Sequence, residues 1–142
     1  METVFGLLRQ TWSERKHVLL DFGHFANVIS IGKLGVAIST DGIGTKAIIA
    51  QLVGKYDSVG IDCVAINAND VLCVGAEPLS LVDYLAVQTI NPEMIADIAK
   101  GLSAGGLLAK ISVAGGESAQ LPELLKGEEE GGGFDLAGTC IG

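Results

Sequence analysis

The chain has 142 residues, which suits a single domain. Hydrophobic residues make up 49% of it and aromatics only 5%, so its core must be built from Val, Ile, Leu and Ala. A net charge of −8 excludes the basic stripe of a nucleic-acid footprint, and its 20 glycines argue against a helical bundle. No apolar stretch is long enough, and free enough of charge and glycine, to span a bilayer. Glu2, Arg9, Glu14, Arg15 and Lys16 make the N-terminus unlike a signal peptide. Cys63, Cys73 and Cys140 have no C-x-x-C spacing. Each sits among apolar residues and is expected to be a small buried hydrophobe in a reducing, cytoplasmic compartment.

In chain order, residues 2–12 have the apolar spacing of an amphipathic helix. Residues 20–31 read as a loop followed by a short strand. Residues 36–40 form an apolar strand, and 45–53 a helix. Asp57 or Ser58 is expected to cap a long helix over 60–74, closed by Gly75 with Pro78 beyond. Residues 79–88 alternate as a strand. Asn91 and Pro92 mark the N-cap and first position of a helix over 92–108. A strand over 110–114 is closed by the turn Gly115-Gly116-Glu117. Residues 126–133, with Glu128-Glu129-Glu130 among glycines, read as a mobile acidic loop. A last strand covers 134–141. Not counting the short strand in 20–31, four strands with helices between them give an α+β, two-layer fold with a mixed, mainly antiparallel sheet and helices on one face.

The segment Ser39-Thr40-Asp41-Gly42-Ile43-Gly44-Thr45-Lys46 joins a buried strand to a helix start. Backbone N–H groups at such a start favour anions. Asp41 has the chemistry to hold a hard cation such as Mg²⁺, and Lys46 to neutralise a phosphate. The spacing is not G-x-x-x-x-G-K-[ST], so this is no Walker A loop. A second reading stays open: Thr40 or Asp41 caps a helix, and the glycines only permit the turn.

The 60–74 helix places Asp62, Asn67, Asn69 and Asp70 among Ile61, Val64, Ala65, Ile66 and Val71. So many polar groups in an apolar helix need partners. They either face the Asp41 turn and complete a metal site or bond neighbouring backbone in a polar seam. Gly115 and Gly116 allow a ligand or another backbone to approach, with Glu117 beside them, or they form an ordinary turn. His17 and His24 have no ligand-spaced partners, so no Ser/His/Asp arrangement is available.

The stretches Ser39–Lys46, Tyr56-Asp57-Ser58-Val59-Gly60-Ile61-Asp62, Asn69-Asp70-Val71-Leu72, Gly75-Ala76-Glu77-Pro78, Leu81-Val82-Asp83-Tyr84-Leu85-Ala86, Ala114-Gly115-Gly116-Glu117-Ser118 and Phe134-Asp135-Leu136-Ala137-Gly138 occur in an order that resembles the phosphoribosylformylglycinamidine cyclo-ligases (aminoimidazole ribonucleotide synthetases). The resemblance runs from about Gly23 onward. It implies ATP-dependent closure of an imidazole ring on formylglycinamidine ribonucleotide in purine biosynthesis. It implies ATP and Mg²⁺ as cofactors and a homodimer in which sheets of two subunits pair into a barrel. Carried over by position, it implies Asp41, Gly42, Gly44, Thr45, Lys46, Asp70, Gly115, Gly116 and Glu117 as nucleotide-binding residues. Asp41 and Asp70 would be metal ligands, with Asp62 and Asp57 as further acidic candidates. Related groups include formylglycinamidine ribonucleotide synthetase and thiamine-phosphate kinase.

There are departures. Ser118 stands where threonine is usual, Gly23-His24-Phe25-Ala26 is less glycine-rich than the family loop, and the acidic loop lacks a methionine-proline run. The family carries a second domain after the Ala137-Gly138 strand, and this sequence ends at Gly142. Residues 1–142 are therefore expected to form one N-terminal ATP-binding and dimerisation domain, with the C-terminal domain absent and cyclisation not completed by the domain alone.

Overall fold

The computed structural model describes residues 1–12 and 17–142. Glu14, Arg15 and Lys16, counted above among the N-terminal charges, lie outside the described residues. Helix α1 (Glu2–Arg9) tightens into a 3-10 turn over Gln10–Trp12. It buries no residue in the core. Its end is held by rings instead: Phe5 and Trp12 pack on Phe22 with centroids 4.6 and 4.9 Å apart.

Strands β1 (Asn27–Ile31) and β2 (Leu34–Gly42) form a hairpin, paired from Ile31↔Leu34 to Asn27↔Ile38. Strand β2 outruns the expected 36–40 because β1 and a later strand supply ladder partners on its two edges. It therefore takes in Asp41 and Gly42. Helix α2 (Lys46–Val53) follows. Helix α3 (Asp57–Cys73) starts three residues earlier than expected. Tyr56 occupies its N-cap position, with no side-chain hydrogen bond there, so neither Asp57 nor Ser58 caps it. Asp57 is instead an acid in the first turn, where the helix dipole favours it.

Strand β3 (Ser80–Val87) leads to helix α4 (Pro92–Ala109). The expected cap is present: Asn91 Oδ1 accepts from the N–H groups of Glu93 and Met94, both at 3.1 Å. Strands β4 (Ser112–Gln120) and β5 (Phe134–Ile141) complete the sheet. The order is β1-β2-β5-β3-β4. Only β3–β4 is parallel; the other three ladders are antiparallel. The sheet is thus mixed and mainly antiparallel, as expected, but has five strands rather than four. The fifth is β1, from the segment whose pattern was weakest.

A second correction concerns Gly115-Gly116-Glu117. It is not a closing turn but the middle of β4. The parallel ladder with β3 continues to Val87↔Gln120 and supplies partners that a local pattern does not reveal. The glycines are absorbed as a bulge: Leu81 pairs with Val113 and Val82 with Gly115, so Ala114 has no partner. Gly115 has φ 149°, in the region that favours glycine. The acidic loop is also tied down. Gln51 Oε1 accepts from Glu128 N–H at 2.9 Å, and Gln88 Oε1 accepts from Gly133 N–H at 3.2 Å.

The core lies between one sheet face and α3, with α4 packed on α3. Val59, Cys63, Val64, Val71 and Ile98 meet Ala37, Leu81, Leu85, Leu136 and Cys140. The helices touch backbone to backbone. A Cβ on Gly60 would overlap Ile98 and Leu102 of α4, and one on Gly101 would overlap Asp57 of α3. Cys63 and Cys140 are buried, as expected, but Cys73 is exposed near the end of α3.

Candidate active site

The pleat sends Ser39 and Asp41 of β2 toward α3. Ser39, only 3% exposed, donates from Oγ to Asp70 Oδ2 at 3.0 Å. Asn67 of α3 is fully buried. Its Oδ1 accepts from Asp41 N–H at 2.9 Å, and its Nδ2 donates to Asp41 C=O at 3.1 Å and to Cys63 C=O at 2.9 Å. The side-chain amide therefore treats Asp41 as a neighbouring strand would. The polar-seam reading of the helix holds for Asn67, while Asp70 reaches the Asp41 segment through Ser39.

Thr40 and Asp41 do not cap a helix. Both lie in β2, where Thr40 Oγ1 donates to Gly138 C=O at 2.9 Å and Asp41 Oδ1 accepts from Gly42 N–H at 2.8 Å. Thr45 holds the N-cap position of α2, without a side-chain bond, and Gly44 turns the chain with φ 60°. Lys46 begins α2, and its Nζ lies 3.2 Å from Asp62 Oδ2. Both side chains of that pair are close to half exposed, so the contact is exchangeable. Asp57 Oδ1 is shielded and has no hydrogen-bond partner, with Lys55 Nζ 3.9 Å away.

Sheet register relates the two glycine-bearing segments. Asp41 pairs with Gly138, Gly138 with Asp83, and Asp83 with Gly116. The next row runs Gly42, Ala137, Tyr84, Glu117. Three strand spacings separate the ends of each row, about 14 Å at ~4.8 Å per spacing. Asp41 and Glu117 thus stand at opposite ends of one row system without touching. Glu117 is exposed, and its Oε1 accepts from Ser118 N–H at 2.8 Å.

Asp83 lies between these ends and was given no role from the sequence. It is half-buried, and desolvation raises its pKa above the usual carboxylate range. A Cβ on Gly116 would meet Asp83 Oδ1 and C=O at about 2.5 Å, so that glycine makes room for the acid. The signal was available: a lone carboxylate in the apolar run Leu81-Val82-Asp83-Tyr84-Leu85 needs an explanation. The nearby Cys63 thiol registers the same acids. Burial first, then the charges of Asp83, Asp41 and Asp135, push its pKa to about 12.

Among the described residues, no three His, Cys, Asp or Glu side chains gather closely enough to hold a metal ion by themselves. Asp41 and Asp70 are joined through the Ser39 segment, whereas Asp62 and Asp57 stand beside lysines. Two carboxylates on this strand end and helix are hard oxygen donors of the type Mg²⁺ takes together with phosphate oxygens and water.

A family model described as the N-terminal domain of AIR synthase related protein matches residues 23–142. The chain belongs to this family. Among its relatives, the phosphoribosylformylglycinamidine cyclo-ligase of Methanobrevibacter smithii is 50% identical over 129 residues, covering 91% of this chain and 36% of that protein. The Thermococcus gammatolerans enzyme of the same name is 44% identical over 146 residues, covering 100% of this chain and 42% of that one. This AIR synthase related domain thus spans about two-fifths of the length of the curated relatives it matches. In fold it is similar to T. maritima PurL complexed with ATP, with TM-score 0.65 and 18% identity over 95% of this chain and 23% of that one. No helix among the described residues is long and apolar enough to cross a membrane.

Proposed function

We propose that this chain is the N-terminal nucleotide-binding and dimerisation domain of a phosphoribosylformylglycinamidine cyclo-ligase of the cytoplasm, with the rest of the enzyme in a second domain. The reaction converts formylglycinamidine ribonucleotide and ATP to aminoimidazole ribonucleotide, ADP and phosphate. The amide oxygen takes the γ-phosphoryl group, the neighbouring nitrogen attacks the activated carbon, and phosphate leaves. Such chemistry needs positioning and charge neutralisation more than covalent help from the protein.

The observation that carries the reading is the row Asp41–Gly138–Asp83–Gly116, which sets an acid-bearing strand end and a glycine bulge on one rigid sheet. Asp41 and Asp70 are the proposed holders of Mg²⁺, which when bound would neutralise phosphate charge. Lys46 leaves its exposed pairing with Asp62 to face a phosphate. Gly42, Gly44 and Thr45 bring backbone N–H groups close to the nucleotide. Gly115 and Gly116 form the far wall, with Glu117 at its edge on the Tyr84 side of the sheet. Asp62 and Asp57 act through the lysines beside them.

Dimerisation draws support from the other sheet face. Ile31, Leu34, Ile38, Val82, Tyr84 and Ile141 share it by register and are 36–70% exposed. An apolar sheet face of this extent calls for a cover. A second copy presenting the same face would close the two sheets into a barrel. The same face supports a second reading, a dimerisation module without nucleotide chemistry of its own. Calorimetric titration of Mg·ATP decides between them. Binding that is lost in Asp41→Ala supports the nucleotide site. A dimer by sedimentation with no Mg·ATP heat favours the module.

A further inference from the structure

We infer that Asn67 is the positioning residue of the Asp41 corner, holding the Asp41 peptide so that its carboxylate points into the site. The inference rests on the reading of Asp41 as a nucleotide-site acid. Asn67 bonds both backbone groups of Asp41 and also anchors itself to Cys63 C=O. It is one of two buried polar side chains among the described residues, and the other, Ser39, ties Asp70 to the same strand end. The hairpin ladder from β1 stops at Ile38, three residues before Asp41, and α3 reaches this strand end through Asn67 and Asp70.

Two further features point the same way. A Cβ on Gly138, the ladder partner of Asp41, would lie 2.8 Å from Asn67 Nδ2. The glycine thus keeps open the slot that the amide fills. The bond set also uses both ends of an amide, donor and acceptor. A carboxylate in its place accepts from Asp41 N–H but cannot donate to Asp41 C=O. A shorter side chain reaches neither. Packing alone would be met by an isosteric group, whereas holding this peptide requires the amide.

The test compares Asn67→Asp and Asn67→Ser with the unaltered chain, using amide NMR and Mg·ATP calorimetry, and Asp41→Ala as the site control. Both variants should shift the Asp41 and Gly42 amide resonances, and Asn67→Ser, which loses the acceptor, should also speed hydrogen exchange at Asp41, while core amides of α4 keep their protection. Mg·ATP affinity should fall on the order of tenfold or more, as for other partners that orient a ligand-holding acid. An unchanged Asp41 amide in both variants overturns the inference. So does a shifted amide with unaltered Mg·ATP affinity, provided Asp41→Ala abolishes binding. If Asp41→Ala has no effect on Mg·ATP, the nucleotide reading fails on its own. The NMR result then decides whether Asn67 holds Asp41. Asn67→Asp, nearly isosteric, guards against loss of fold in the shorter variant.

Discussion

The two faces of the sheet obey different rules. On the helix-covered face, Leu81, Leu85, Leu136, Ala37 and Cys140 are each no more than 4% exposed, and α3 meets α4 through glycines at van der Waals distance. On the opposite face, Val82 and Tyr84 of the same strand remain 45% and 44% exposed. Polar groups follow the same division. The covered face holds Ser39, Asn67 and the half-buried Asp83, each with a specific neighbour. The open face carries the Thr40 and Thr139 hydroxyls, 3.1 Å apart, and Tyr84 among aliphatic side chains. The covered face holds the core and the buried polar groups; the open face is the one proposed above for assembly.

The sharpest way to break this division is to add one methyl group on the covered side. Gly60→Ala places a Cβ into the α4 backbone, which cannot yield as a flexible side chain would. Overpacking of this kind costs about 3 kcal/mol. Urea unfolding should show a lower midpoint with little change in slope. A midpoint within experimental scatter of the unaltered chain would mean that α3 and α4 are not locked together.

The open face should respond in the opposite manner. Val82→Glu sits where the side chain is nearly half exposed, so the monomer should lose less than about 1 kcal/mol. Self-association should fall far more, because a carboxylate buried between two sheets is costly without a partner. Sedimentation equilibrium of the two proteins at matched concentration reads this directly. Equal association of both would remove the open face as the contact surface.

How much of this was legible in the residues depends on the range of the interactions. Asn91 and Pro92 announce α4 because capping is local, and Gly75 and Pro78 close α3 for the same reason. The Gly115-Gly116-Glu117 segment was misread as a turn because its strand partners lie over thirty residues away in β3. Strand β1 was missed in the count because Asn27–Ile31 alternates weakly and is defined by the hairpin with β2. That Asp70 reaches the Asp41 segment was legible from the polar residues on the helix. Asp83 was legible only as a carboxylate in an apolar run; its place between Gly138 and Gly116 comes from register. Family resemblance supplied the order of segments, whereas their rows across the sheet came only with topology.

The smallest effect separates stability from function within the covered face itself. Burial raises the folded-state pKa of Asp83, so the folded protein binds a proton more readily there than the unfolded chain does. Between the unfolded and folded pKa values the native state holds more protons, and stability falls as pH rises through that window. Above it the ionised carboxylate is a standing cost. Asp83→Asn removes that charge at nearly constant volume. The variant should melt within a few degrees above the unaltered chain at pH 7, and the difference should close as pH drops below the ordinary carboxylate range. Scanning calorimetry at the two ends checks both halves. If Asp83 serves the nucleotide site, the same change should weaken Mg·ATP binding, a gain in stability with a loss in function. A variant less stable at pH 7 would instead mean that the carboxylate has a stabilising partner, and that the acid belongs to the scaffold.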